Sequence, residues 1–347
     1  MSHSPWSRVG LPTAGGASHG VRLHYVPWIN AKISESLRCS LYVSGAAIET
    51  ERPSPRYSAI DLWESSDVLD AMIEGQLAAV AAVRAARGAI EEAAHAMELR
   101  LAEGGRLIYA GAGTSGRLAV QDGAELMPTF SWPAERLLLL IAGGNEALIH
   151  AVEGAEDDTA RALALIKSHK LAGNDVLLAA AASGTTPFTL ACVRGARAAG
   201  ALTVGIANNR DTPLLKESEC PIFLDTGVEP IAGSTRMKAG TAQRITLNLL
   251  SSLVMIRLGH VYEGLMVDVQ ATNKKLTQRS ENMLTHLTGR SAKDVRDALA
   301  AAEGSVKVGV LLLYGCRAEE AKALLESSGG HLRVALAVLR KSRASPE

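Results

Sequence analysis

The chain has 347 residues, of which 47% are hydrophobic, enough to bury a sizeable core in two domains or in one large domain with appendages. Lysine plus arginine equal aspartate plus glutamate at 36 each, which excludes the bulk basic field that nucleic-acid binding exploits. Only 4% of residues are aromatic, so alanine and leucine must fill the core, which favours packed helices over an all-β sandwich. Cys39, Cys192, Cys220 and Cys316 form no CxxC pair and read as reduced thiols. No apolar run approaches the ~20 residues that span a bilayer, and no secretory signal opens the chain, so a cytoplasmic protein with no membrane partner is expected.

Met1–Ala47 carries Ser, Gly and Pro with scattered Trp and Tyr and no sustained period, and reads as a poorly ordered extension. From Asp67 the apolar spacing turns helical, with Ser66 or Asp67 as cap and Gly104–Gly105 as stop. Strands are then expected at Arg106–Ala110, Leu137–Ala142, Asp175–Ala180, Ala201–Ile206 and Ile222–Leu224. Helical patterns lie between them near Ser115–Gly123, Asp157–His169 and Pro187–Ala199, and another runs from Thr235 to about Leu258. Alternation of this kind predicts an α/β fold, a parallel sheet covered by helices on both faces. After Asn273 the pattern is helical up to Leu339, broken at Gly329–Gly330. The expected limits are therefore 1–47 extension, 48–104 N-terminal helical segment, 105–262 sheet domain and 263–347 helical C-terminal domain.

Two turns carry the chemistry. RLIYAGAGTSGR (Arg106–Arg117) and DVLLAAAASGTTPF (Asp175–Phe188) each run from an apolar strand into a Gly- and hydroxyl-rich loop and then a helix start. Such a loop presents unsatisfied N–H groups and the positive end of the helix dipole to an anion. Gly111–Gly116 also fits G-x-G-x-x-G, but the acidic residue a dinucleotide site wants ~20 positions on is poorly placed: position 136 is Arg, Glu135 precedes the second strand and Glu146 follows it. The hydroxyls of Thr114, Ser115, Ser183, Thr185 and Thr186 suit a sugar phosphate better. Glu125, near the far end of the first loop's helix, and Glu156, after the second strand, are candidates for a general acid and base facing one cleft. Glu156, Asp157 and Asp158 also fit a helix N-terminus. IAGSTRMKAGTAQR (Ile231–Arg244) reads either as a helix capped by Ser234 or Thr235 or as a third wall whose Arg236 and Lys238 meet an anionic substrate. The dispersed histidines show no metal-ligand spacing, and no metal is expected.

Taken together, GAGTSGR (Gly111–Arg117), VEGAEDD (Val152–Asp158), the ASG and TP of Ala182–Pro187, GSTRMKAGTAQ (Gly233–Gln243), LMVDV (Leu265–Val269) and ATN (Ala271–Asn273) resemble the N-acetylmuramic acid 6-phosphate etherases, lyases with a sugar isomerase (SIS) domain. A weaker match is TERPSPRYSAID (Thr50–Asp61). The resemblance runs from about residue 48 to the C-terminus. It implies cleavage of the lactyl ether of N-acetylmuramic acid 6-phosphate, with water addition, to N-acetylglucosamine 6-phosphate and D-lactate. It also implies a role in muramic acid catabolism and cell-wall recycling, no cofactor, and a homodimer. The family's two glutamates fall on Glu125, the proton donor, and Glu156. Ser183, Gly184, Thr185 and Thr186 are implied to hold the phosphate, with Thr114, Ser115, Ser234 and Lys238 completing substrate binding. This chain departs from the family pattern at Ala124, Leu126 and Met127 around the first glutamate, at Thr185, where Arg is common, and at Glu263–Gly264. A non-catalytic sugar-phosphate sensor and an aldose–ketose phosphate isomerase are the alternatives on the same scaffold.

Overall fold

The computed structural model describes residues 48–269 and 274–344. The reading of Met1–Ala47, Cys39 and the ATN motif at Ala271–Asn273 lie outside the described residues. Helices α1 (Ser65–Ala85) and α2 (Arg87–Ala102) precede strand β1 (Leu107–Gly111). The single helical stretch read from the sequence is thus two helices that turn at Ala86. The expected cap is also corrected: Ser66 and Asp67 lie inside the first turn of α1, and Glu64 stands at the N-cap with no side-chain bond.

Strands and helices then alternate as α3 (Gly113–Phe130), β2 (Leu137–Ile141), α4 (Thr159–Ser168), β3 (Val176–Ala180), α5 (Pro187–Ala198), β4 (Leu202–Ala207), α6 (Pro213–Glu217) and β5 (Cys220–Phe223). The five strands pair in parallel in the order β2-β1-β3-β4-β5. The sequence explains why the sheet is covered on both sides. Leu107 and Tyr109 of β1, with Val176 and Leu178 of β3, enter one core with α2, α3 and the long helix α7 (Lys238–Arg257). Their neighbours Ile108, Ala110, Leu177 and Ala179 enter the opposite core with α4 and α5. Period-two burial into two cores makes β1 and β3 unbroken apolar runs, and each fully buried Leu or Val contributes about 1.5–3 kcal/mol.

At the N-terminal edge of the sheet, Arg106 and Asp175 tie β1 to β3. Asp175 accepts from the Arg106 guanidinium at 2.6 Å and from the Arg106 and Ala172 N–H groups at 2.9 and 2.8 Å. Burial pushes this carboxyl's pKa up, but the hydrogen bonds and charge of Arg106 outweigh it and hold the value below the ordinary carboxylate range. A depressed carboxylate stabilises the fold above its unfolded pKa, and that contribution fades as pH falls through the lower folded value. Asp175→Asn is expected to cost about 2 kcal/mol at neutral pH, since Arg106 is only partly shielded. In denaturation titrations the gap to the parent should close below about pH 4, the unfolded carboxylate range.

After α7 a short hairpin, β6 (Val261–Tyr262) and β7 (Leu265–Met266), leads to α8 (Lys274–Thr288), α9 (Ala292–Ala301), α10 (Val306–Leu313), α11 (Ala318–Ser327) and α12 (Leu332–Ala344), which enclose a third core. Asp268 links this part to the sheet side: it meets His260 at 2.7 Å and Lys307, while its backbone carbonyl accepts from the Ser131 hydroxyl. Burial pushes the Cys192 thiol up to about 12, and Cys220 and Cys316 are also unbridged. No helix among the described residues is long and apolar enough to cross a membrane.

Candidate active site

From β1 the chain turns one way to β2, and β3 lies on the other side, so the strand order reverses between β1 and β3. In doubly wound sheets the crevice beyond the carboxyl ends at such a reversal receives the ligand. Gly111 and Ala180 are level in the ladder, so the loop into α3 and the loop into α5 leave the sheet side by side. Both helices open without a side-chain cap: Ala112 precedes α3, and Thr186 precedes α5 with Pro187 at its first position. Their first-turn N–H groups therefore face the crevice unclaimed by side chains.

Local sequence shapes these loops. Gly184 has φ +69°, and a Cβ there would lie 2.3 Å from Thr212 Oγ1, so only glycine fits. The half-buried Ser183 hydroxyl accepts from the Thr185 N–H at 3.2 Å and from the Thr185 hydroxyl at 3.1 Å, which leaves its own proton for a ligand. Thr186 is half-buried and Thr185 exposed. On the neighbouring loop, Ser115 is buried and Thr114 half-buried. A Cβ on Gly240 of α7 would touch Thr114 Cγ2 at 3.4 Å and the Thr235 carbonyl at 3.1 Å, so the first loop meets the Ile231–Met237 segment.

That third segment corrects the expected cap. Met237 holds the N-cap of α7, and neither Ser234 nor Thr235 caps the helix. The buried Glu229 accepts from the Lys238 and Ala239 N–H groups at 3.1 and 2.9 Å instead. Burial raises the Glu229 pKa, against the pull of those two N–H groups and of the Lys238 charge. Ser234 is half-buried beside this turn. Lys238 itself is buried, its stem packed on α1 at Gly75, and burial lowers its pKa against the opposing charges of Glu229 and Glu49.

The two glutamates fall in different places. Glu156 is exposed on a 3-10 turn (Ala155–Asp157) that packs against α5. A cavity of about 620 Å³ is lined there by Gly143, Glu153, Ala155, Asp158 and Phe188, putting this turn beside the first turn of α5 and thus the Ser183–Thr186 loop. Of the acidic run, Asp158 is the residue that caps α4, accepting from the Arg161 N–H at 2.8 Å. Glu125 is exposed in the second half of α3. Eleven residues of helix separate it from Thr114, roughly 17 Å along the axis. One chain therefore brings Thr114, Ser115, Ser183–Thr186, Ser234 and Glu156 to the carboxyl edge of the sheet and carries Glu125 away from it.

Sequence reasoning missed a buried polar group behind these loops. Asn208, Asn209 and Gln243 are buried; Gln243 donates to Asn208 Oδ1 at 2.9 Å, and Asn209 donates to the Ala182 carbonyl at 2.8 Å. The available signal was the Asn pair that ends the apolar run of β4.

Residues 89–196 match the glucokinase regulatory protein N-terminal SIS domain. The N-acetylmuramic acid 6-phosphate etherase of Deinococcus radiodurans is 51% identical over 288 residues, covering 83% of this chain and 94% of the relative. That of Streptomyces coelicolor is 44% identical, covering 84% and 94%. Among solved structures, a phosphoheptose isomerase from Francisella tularensis aligns over 55% of this chain and 98% of its own, with 21% identity and a TM-score of 0.43. With identity this high along nearly the whole length of those relatives, the chain belongs to the N-acetylmuramic acid 6-phosphate etherase family.

Proposed function

We propose that this protein cleaves the D-lactyl ether of N-acetylmuramic acid 6-phosphate, releasing D-lactate and N-acetylglucosamine 6-phosphate, and serves muramic acid catabolism and cell-wall recycling in the cytoplasm. The observation that carries this reading is the pair of uncapped helix N-termini, α3 and α5, meeting at the β1/β3 reversal with Ser183 and Thr186 beside the turn that bears Glu156. The phosphate is held there by Ser183, Gly184, Thr185 and Thr186, and Thr114, Ser115 and Ser234 line the rest of the substrate site, while Lys238, buried against α1, contributes its positive charge and not a contact surface. Ring opening exposes an aldehyde at C1, which acidifies the proton on C2. A carboxylate takes that proton while a carboxylic acid, Glu125, protonates the ether oxygen on C3. The C3–O bond breaks, lactate leaves, and an unsaturated aldehyde remains. Water then adds its oxygen at C3 and C2 regains a proton, so the sum is hydrolysis of the ether without cofactor.

The enzyme works as a homodimer in which Glu125 of one protomer enters the site of its partner. Two observations support this. The large apolar side chains of α1 lie mostly on its exposed side: Leu69, Ile73, Leu77 and Val80 are each more than half exposed, whereas the small Ala71, Gly75, Ala79 and Ala82 are buried. A stripe of large apolar residues on a helix's solvent side marks an interface. It continues into a groove of about 550 Å³ between α1, α2 and α7, lined by Val80, Ile90, Ile245 and Leu249. α7 packs against α1 on one side and α3 on the other, so the helix that carries Glu125 belongs to the same layer. Ile73→Asp is expected to shift the protein from dimer to monomer in sedimentation and to abolish turnover while the helical dichroism is kept.

The function is tested by a coupled lactate assay on purified protein. Lactate release from N-acetylmuramic acid 6-phosphate, with solvent deuterium entering C2 of the product, is the expected result. Phosphosugar binding with no lactate would identify a sensor, and interconversion of an aldose with a ketose phosphate would identify an isomerase.

A further inference from the structure

Thr50 lies in a single 3-10 turn, Glu49–Glu51, ahead of α1, yet it is 0% exposed. Each of its polar atoms is committed to a loop of the candidate site. Its N–H donates to Asn209 Oδ1 at 3.2 Å, its hydroxyl accepts from Asn209 Nδ2 at 2.9 Å, and its carbonyl accepts from the Gly233 N–H at 2.9 Å. Asn209 Nδ2 also donates to the carbonyl of Ala182, the residue before Ser183. An unbroken hydrogen-bonded path thus runs from the Ser183–Thr186 loop through Asn209 and Thr50 to the Gly233–Lys238 segment. Glu51 lies against the same segment: a Cβ on Gly233 would be 2.6 Å from its Oε2.

We propose that Thr50 and Asn209 are positioning residues that set the spacing between the phosphate loop and the Gly233–Lys238 wall, and through it the affinity for the phosphorylated end of the substrate. This rests on the reading above that Ser183–Thr186 receive the phosphate. The physical reason is that both walls leave the sheet as independent loops, after β3 and after β5, and neither strand ladder fixes one against the other. The Asn209 amide, bonded to the Ala182 carbonyl and to Thr50, and the Thr50 carbonyl, bonded to the Gly233 N–H, together do fix them, because slippage would leave buried polar groups unpaired. Valine at position 50 keeps the shape but removes the hydroxyl, so an Asn209 N–H loses its acceptor.

The test is steady-state kinetics of the full chain with N-acetylmuramic acid 6-phosphate, together with competitive inhibition by inorganic phosphate. Thr50→Val is expected to raise KM and the phosphate inhibition constant about tenfold, the loss of one buried hydrogen bond, with kcat within about threefold of the parent. Thr50→Ser, which keeps the hydroxyl, should restore both constants. Unchanged constants, a fall in kcat alone, or failure of serine to rescue would each overturn the proposal. If Thr50→Val does not accumulate folded, Thr50→Ala is read by the same constants and the same criteria. Ser183→Ala separates the two levels. If it leaves phosphate inhibition unchanged, the reading of the loop fails. If it weakens phosphate while Thr50→Val does not, only the positioning role fails.

Discussion

Glu125→Gln and Glu156→Gln are each expected to lower kcat by at least ~100-fold with KM for the phosphorylated sugar nearly unchanged. The amide keeps size and hydrogen-bonding capacity but can neither release nor take up a proton at neutral pH, and acid–base catalysis contributes about 10²–10⁴-fold. Neither side chain belongs to the loops proposed to receive the phosphate, which is why binding should survive. Both are exposed in the single chain, so their replacement should also leave thermal stability unchanged. Single-turnover measurement of lactate release separates the two effects. Near-parent turnover in either variant would remove that glutamate from its role, and a rise in KM alone would reassign it to binding.

Gly116→Val is expected to be the most destabilising of the substitutions considered. A Cβ at Gly116 would lie 2.8 Å from the carbonyl carbon and oxygen of Gly111 and 2.9 Å from Ile141 Cγ1. The reciprocal approach is as tight, since a Cβ on Gly111 would lie 2.9 Å from Gly116 Cα. Two backbones in contact cannot yield as a flexible side chain can, so α3 would have to lift off β1, at a cost of about 4 kcal/mol. A fall of the thermal midpoint on the order of 10 °C follows for a domain of this size. A fall of under about 3 °C would mean that α3 does not lie this close to the sheet. The third glycine of the G-x-G-x-x-G pattern is thus used for helix–strand contact, a role independent of any dinucleotide.

The sheet was legible in the sequence because its central strands β1, β3 and β4 are buried on both faces and so read as largely apolar runs. Its limits moved by one or two residues, as with Arg106–Ala110 against the observed Leu107–Gly111 and Ile222–Leu224 against Cys220–Phe223, since ladder register and not composition sets them. The turn at Ala86 was not legible, because alanine-rich spacing continues through it. The cap of α7 was not legible either. Glu229 reaches it from nine residues before Lys238, and a search confined to the cap position finds only Ser234 and Thr235. Within the site, the hydroxyl loops were readable from local pattern. Asn209 and Thr50 were not, because they meet across 159 positions. Glu125 was readable as a residue, whereas its distance from the crevice depends on the eighteen-residue length of α3.

The shared site is tested most directly by mixing the two inactive variants. Glu125→Gln and Glu156→Gln protein, each pure, are combined, dissociated, allowed to reassociate, and assayed for lactate. If each site takes Glu156 from one protomer and Glu125 from the other, half of the dimers are hybrids with one intact site in two, and activity should return to about a quarter of the parent. Activity that stays at the level of the single variants, with hybrid dimers present by mass, would contradict a site built from two chains.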